Sequence, residues 1–424
     1  MRTYMANAFR LVLAAFAVTG CAASDATEVA DPAKVTITIE SWRNDDLSVW
    51  RDKIIPAFET KHPNIRVVFA PTAPAAYDAG LSAKLSNGTA GDLITCRPFD
   101  TSLALFSKGR LVGLNTLPGL SNFGDVARSA WITDDGKTVY CVPMASVIHG
   151  FFYNKDVFDK YGITEPDTRD QFTAALRTLK GRGETALVMG TAERWESATV
   201  GFQNIGPNYW KGEDGRKALI AGTAKYTDAP YTQTWAALAT WAPYLPADFA
   251  TMAYSTAQSR FALAKGAIYP TGSWEIAHFR KEAAFTLGIF PPPVGTAGDA
   301  CYISDHTDIA MGLNAASKHP AEARLFLEWL TSREFAELYS NALPGFFTLA
   351  SHQITLTDPL ANEFLSWRTK CRSTIRNSSQ ILSRGDPSLE NELWRVTAAV
   401  LNGTLTPAQA GEEVQTGLAK WYKP

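Results

Sequence analysis

At 424 residues the chain is longer than a single hydrophobic core usually supports, so two domains or lobes of ordinary size are expected. Hydrophobic content of 46% and charged content of 19% are globular values and exclude a disordered chain. Lys+Arg 40 against Asp+Glu 42 leaves a net charge of -2, which gives no electrostatic basis for nucleic acid or an anionic membrane surface as partner and points to a small or neutral ligand.

Arg2 and Arg10 precede a short apolar run at 11–18, followed by Thr19-Gly20-Cys21-Ala22-Ala23. A basic start, a short apolar run and small residues make a secretory signal over 1–20, too short to span a bilayer. The small residues before Cys21 resemble a bacterial lipoprotein box, in which Cys21 becomes the acylated first residue of a tether over 21–33. Val18 stands where that box usually has Leu, so cleavage after Ala23 or Ala26 is the other reading. Acyl chains would anchor the protein by inserting into lipid. Cys96, Cys141, Cys301 and Cys371 remain, an even number for an oxidising compartment. They allow three connectivities. Pairing Cys96 with Cys141 and Cys301 with Cys371 is preferred, with buried free thiols as the alternative.

The fold proper is expected to begin at Lys34. Val35, Ile37 and Ile39 alternate with Thr36 and Thr38 as a first strand, which ends at Trp42-Arg43-Asn44-Asp45-Asp46. A helix over 50–61 places Trp50, Ile54, Ile55 and Phe58 on one face, and a strand over 65–69 follows. After a helix over 77–86, a short buried strand at 92–95 runs into Arg97-Pro98-Phe99-Asp100. This alternation predicts a mostly parallel sheet wrapped by helices, which binds ligands beyond the carboxyl ends of its strands. The loops at 42–46 and 97–100 are therefore candidate site segments.

The apolar stretch 139–152 is interrupted by Pro143 and Gly150 and reads as two short extended segments with a bend. Gly162 closes a short helix, and Pro166 with Thr168 starts another. Taken locally, this is either a crossover between two lobes or a strand–turn–helix inside one domain. A buried strand at 187–190 precedes Glu193, Arg194 and Trp195. Asn204, Asn208, Tyr209 and Trp210 follow in a Gly/Pro-bearing loop. Helices are predicted over 235–244 and 255–265, the latter capped by Ser255. Residues 267–270 lead into Gly272-Ser273-Trp274-Glu275. Strands at 285–290 and 308–314, a helix at 320–330 and a largely helical remainder, broken near Gly345, Pro359 and 385–387, complete the chain.

Several motifs fall in a recognisable order: I-I-P-A-F-E-T-K-H-P-N-I at 54–65, G-T-A-G-D at 88–92, F-S-K-G-R-L-V-G-L at 106–114, F-Y-N-K-D-V-F at 152–158, G-A-I-Y-P-T-G-S-W at 266–274, G-L-N-A-A-S-K-H-P-A-E-A at 312–323 and L-T-P-A-Q-A at 405–410. Over almost the whole mature chain this order resembles the extracellular solute-binding proteins of carbohydrate ABC importers, the group related to maltose-binding protein. Two departures are Gly91-Asp92, where that family usually has Pro-Asp, and Thr168-Arg169-Asp170-Gln171-Phe172, where it has Thr-Trp-Asp-Glu-Phe. The resemblance implies an α/β, two-lobed periplasmic-binding-protein fold with a ligand cleft that closes by hinge bending. It places an N-terminal lobe at 34–145 plus 309–349 and a C-terminal lobe at 149–306 plus 350–424. It implies an extracytoplasmic, periplasmic, monomeric binding protein that captures an oligosaccharide and delivers it to the membrane permease subunits of an ABC transporter. No enzymatic activity, cofactor, metal or nucleic acid is expected.

A saccharide needs flat aromatic surfaces for its C–H faces and planar carboxylate, amide or guanidinium groups for its hydroxyl rim. Trp42, Arg43, Asn44, Asp45 and Asp46 supply both in one loop, unless Trp42 plugs the core. Arg97 and Asp100 occupy the next loop, and Asp100 falls where the maltose-binding relatives place a sugar-binding aspartate. A surface turn is the bland reading there. Trp274 matches a tryptophan that commonly stacks on sugar in the family, with Glu275 beside it. Glu193, Trp195, Asn204 and Tyr209 bring suitable chemistry on second-lobe segments, though solvated loop positions would look the same. His149, Asp305 and His306 are expected at the hinge, where Asp305-His306-Thr307-Asp308 matches no strong metal-binding spacing. The competing functions are an exported glycoside hydrolase, which would need two carboxylates from Asp45, Asp100, Glu193 and Glu275, and the same fold carrying a peptide, polyamine or iron.

Overall fold

The structure is a computed structural model describing residues 34–424, with only the backbone of Gln380. The expected signal segment 1–20, the tether 21–33 and Cys21 lie outside the described residues. Among the described residues nine strands form one curled sheet: β1 (Val35–Ser41), β2 (Ile65–Pro71), β3 (Leu93–Cys96), β4 (Val142–Asn154), β5 (Ile268–Gly272), β6 (Leu287–Phe290), β7 (Tyr302–Leu313), β8 (Phe347–Thr348) and β9 (Arg372–Thr374). The main order is β2-β1-β3-β7-β4-β5, with β6 and β8 on β4 and β9 on β7.

The expected mostly parallel sheet is corrected. Only β1/β2, β1/β3 and β7/β9 run parallel, while β3/β7 and every pairing of β4 are antiparallel. The cause is the route of the chain. It leaves the first half on β4 and returns on β7, and two neighbouring strands that carry a chain out and back must oppose each other.

Buried apolar side chains gather on either side of this pair. One core holds Ile37, Trp50, Phe58, Trp131, Val147, Ile309 and Phe326. The others hold Phe151, Trp235, Ile268, Val396 and Val414, and Phe152, Phe261, Tyr269 and Phe364. β4 feeds all three and β7 feeds the first and the third, which makes the 142–154 stretch a crossover. It is one strand of 13 buried residues, not two short segments. The register slips between Pro143 and Ser146, where proline cannot donate to the ladder. Gly150 does not bend the strand. A Cβ there would sit 2.6 Å from the Trp367 ring, so the glycine is required by a close approach.

The helix expected over 50–61 is present in three continuous pieces, Leu47–Val49, a π-helical turn at Trp50–Ile54, and Ile55–Lys61. Pro56 lacks an N–H, and the wider turn before it accommodates that missing bond. The helix Arg169–Gly181 begins on a reciprocal capping box between Thr168 and Gln171, so Gln171 serves where the related motif has Glu. Residues 187–190 do not form a strand, and only Leu187 bridges to Ile268. The helix Tyr254–Ala262 starts one residue before Ser255, with Ala253 at its N-cap. The expected loop at 204–210 is helical instead, in short turns Gln203–Ile205 and Pro207–Trp210.

Disulfides join Cys96 to Cys141 and Cys301 to Cys371. Their sequence separations of 45 and 70 residues restrict the unfolded chain and stabilise the fold by about 2–4 kcal/mol each. The second also fixes the 371–391 segment beside β7. Among the described residues no helix is long and apolar enough to cross a membrane.

Candidate functional site

A cleft of about 850 Å³ lies between the two sets of cores. The first side contributes Trp42, Arg43, Asp45, Arg97 and Asp100, the second contributes Glu193, Trp195, Tyr254, Trp274, Arg376 and Trp394, and β7 supplies His306 and Asp308. Its size and mixture of aromatic and polar groups suit a small organic ligand.

Trp274 follows the end of β5 and packs against apolar side chains of both sides. Three contacts hold it. Its Nε1 donates to the Tyr254 hydroxyl at 3.1 Å, and His149 meets its ring edge-on with centroids 5.1 Å apart. Gly272 leaves the space in which the ring lies, since a Cβ there would be 2.0 Å from Cζ3. Tyr254 in turn donates to Glu275, whose carboxylate also accepts from Gln258 Nε2 at 3.0 Å. Glu275 is 1% exposed and does not reach the cleft. Burial pushes its carboxyl up to about 7, although the Tyr254 and Gln258 bonds pull it down. It acts as the buried end of a chain that orients Trp274.

The other sequence candidates divide. Trp42 borders the cleft but is buried, edge-on to Tyr77 and covered by the Arg97 guanidinium at 4.6 Å. Arg97 is itself paired with Asp78 at 2.9 Å. Arg43 lines the cleft while its Nε and terminal nitrogen chelate Asp46 at 2.7 and 2.8 Å. Asp45 is exposed on the cleft wall, whereas Asn44 and Asp46 are not on it. Glu193 accepts from Trp195 Nε1 at 2.9 Å, so both are placed together at the cleft. The structure brings neither Asn204, Tyr209 nor Asp305 to the cleft. Asn204 is fully buried and donates to the carbonyls of Gly150 and Val200. Tyr209 stacks under Arg169 at 4.2 Å. Asp305 is bound on both oxygens by Arg368 and also by Ser373. His149 is fully buried between Trp274 and His306. Among the described residues no group of three or more His, Cys, Asp or Glu is placed to hold a metal.

Sequence reasoning missed Tyr254, Arg376, Arg384 and Trp394. Three of these lie in or near the 371–391 segment, which has no periodicity to read. Arg384 crosses the cleft: its Nε donates to Asp100 at 2.7 Å and its terminal nitrogens to Asp134 at 2.8 Å. Burial pushes the Asp100 carboxyl up to about 6, against the pull of Arg384. Asp100 is thus engaged by protein across the cleft. Arg384→Ala is expected to remove this latch and open the cleft in the ligand-free protein, increasing the radius of gyration in small-angle X-ray scattering. Superimposable scattering curves would show that the latch does not hold the lobes.

A profile described as bacterial extracellular solute-binding protein matches residues 42–337. The chain belongs to this family. Among curated relatives of this solute-binding protein, the Multiple sugar-binding protein of Streptococcus mutans is 23% identical over 327 residues, 72% of this chain and 73% of that one. The Melibiose/raffinose/stachyose-binding protein MelE of Bacillus subtilis is 30% identical over 175 residues, 40% of this chain and 38% of that one. Among solved structures, the bacterial solute receptor AcbH gives a TM-score of 0.80 at 18% identity over 92% of this chain and 100% of that one. RafE in complex with raffinose gives 0.75 at 19% identity over 91% and 99%. These likenesses show the two-lobed α/β fold, and the named relatives are described as binding proteins or solute receptors.

Proposed function

We propose that this solute-binding protein captures an oligosaccharide in the cleft, closes on it and passes it to the permease of an ABC importer. The observation that carries the reading is Trp274, a half-buried indole fixed at the junction of the two sides by Tyr254, His149 and Gly272. A rigid aromatic plate edged by guanidinium and carboxylate groups matches a sugar ring and its hydroxyls. The saccharides named for the relatives support it. Trp42, Arg43, Asp45, Arg97, Asp100, Glu193, Trp195 and His306 are proposed to line the ligand path. The division of the cores supports lobes at 34–145 plus 309–349 and 149–306 plus 350–424, hinged on β4 and β7. Acylation at Cys21 would hold the protein at the extracytoplasmic face of the membrane as a monomer.

The test is a thermal-shift and intrinsic tryptophan fluorescence screen against melibiose, raffinose, stachyose, xylotriose, maltotriose and galactose, with the products followed by chromatography. A bound sugar at a hundred times its Kd should stabilise the fold by about 2.7 kcal/mol and leave the sugar intact. Cleavage of the sugar would support the glycoside hydrolase reading, and absence of any shift would remove the saccharide reading.

A further inference from the structure

Four arginines and seven carboxylates line the cleft. Three of the arginines are already matched: Arg43 by Asp46, Arg97 by Asp78, and Arg384 by Asp100 and Asp134. The fourth, Arg376, is different. Its terminal nitrogen is 3.7 Å from Glu390, too far for a hydrogen bond, and its buried Nε has no partner.

His306 stands nearby with the same character. It is 2% exposed, lines the cleft, and neither ring nitrogen is hydrogen-bonded. Asp308 Oδ1 is 3.6 Å away, again beyond hydrogen-bond reach. The His149 ring lies between His306 and Trp274 with centroids 5.1 Å from each, so these groups share one end of the cleft, where β4 and β7 pass between the cores. Burial and the nearby Arg376 charge push the His306 ring down, which keeps it neutral, with one donor and one acceptor nitrogen. Buried polar atoms without partners are costly, and a ligand that supplies partners is favoured by the same amount.

Resting on the saccharide reading above, we propose that His306, Asp308 and Arg376 form a subsite that takes a neutral pyranose through adjacent hydroxyls and rejects acidic sugars. A hydroxyl both donates and accepts. One can accept from the Arg376 guanidinium while donating to the Asp308 carboxylate, and its neighbour can pair with either nitrogen of His306. A uronate in the same place would accept from Arg376 but would bring its charge against Asp308 and Glu390, two carboxylates to the one arginine. The excess of carboxylates over arginines extends that repulsion along the cleft.

The test is calorimetric titration of the full-length protein with raffinose, stachyose, xylotriose and maltotriose as neutral probes and trigalacturonate as the acidic one. The expected result is binding of a neutral probe, with trigalacturonate weaker by about a hundredfold or more. Arg376→Met, which keeps the apolar stem, and Asp308→Asn should each weaken the neutral probe by about tenfold, with the circular dichroism spectrum unchanged. Asp308→Asn should also narrow the gap between neutral and acidic probes, a change that general destabilisation would not produce. Equal affinity for trigalacturonate and the neutral probe overturns the subsite, as does unchanged neutral affinity in both variants. Failure of every probe to bind the unmodified protein overturns the saccharide reading itself, an outcome distinct from the other two.

Discussion

Trp274→Ala is expected to lower affinity for the bound saccharide by about 2–3 kcal/mol, roughly 30- to 100-fold, while leaving the ligand-free fold in place. The indole is only partly buried, so its removal opens cleft space more than it empties a core. What is lost is a flat apolar surface already held in position, and a flexible replacement would have to be ordered on binding. Gly272→Ala provides an independent check. Gly272 has extended backbone angles that alanine tolerates, yet its new Cβ would meet the Trp274 ring at 2.0 Å. The ring must then leave its seat, although its chemistry is unchanged. Titration followed by fluorescence should show both variants weakened. Normal affinity in Trp274→Ala would remove the indole from the ligand surface, and loss in that variant alone would show that its seating is unimportant.

The reason Trp274 could be singled out from sequence, while Arg376 could not, lies in how each is placed. Trp274 directly follows a strand end within a run of small residues, so local pattern and family order both mark it. The same holds for the strand ends at Trp42 and Arg97. Arg376 and Arg384 reach the cleft only because the Cys301–Cys371 disulfide and the pairing of β9 with β7 fold a non-periodic segment back over it. Arg384 meets Asp100 across 284 positions of sequence, a relation that no local signal carries. Strand direction was hidden for a similar reason. Alternation of strands and helices suggests parallel pairing, and it does hold for β1, β2 and β3, but the return of the chain on β7 is a property of the whole topology. Asn204 and Tyr209 had the right functional groups for a sugar rim. Their segment winds into helical turns that direct those groups into carbonyl and guanidinium contacts instead.

Glu275 provides the other large expected effect, on stability as a function of pH. Its carboxyl is pushed up from the ordinary 4.5 to about 7 because burial disfavours the charged form more than Tyr254 and Gln258 favour it. In the unfolded chain the group loses its proton near pH 4.5. Between the two values the native state therefore binds more protons than the unfolded state, so stability falls as pH rises. The penalty is absent well below pH 4.5, grows across the interval and is complete above about pH 7. A shift of this size corresponds to about 3 kcal/mol. Glu196, also fully buried, is pushed in the same direction by burial and adds to the trend. Glu275→Gln removes the ionisation while keeping an oxygen to accept from Tyr254. The thermal midpoint of the unmodified protein should fall between pH 5 and pH 8, and that of the variant should fall less, leaving the variant the more stable of the two at pH 8. Parallel curves would show that Glu275 is not neutral in the folded protein. Because Tyr254 links Glu275 to Trp274, the pH 8 measurement also reads the ligand surface: a carboxylate at Glu275 accepts more strongly from Tyr254 and tightens the hold on the indole.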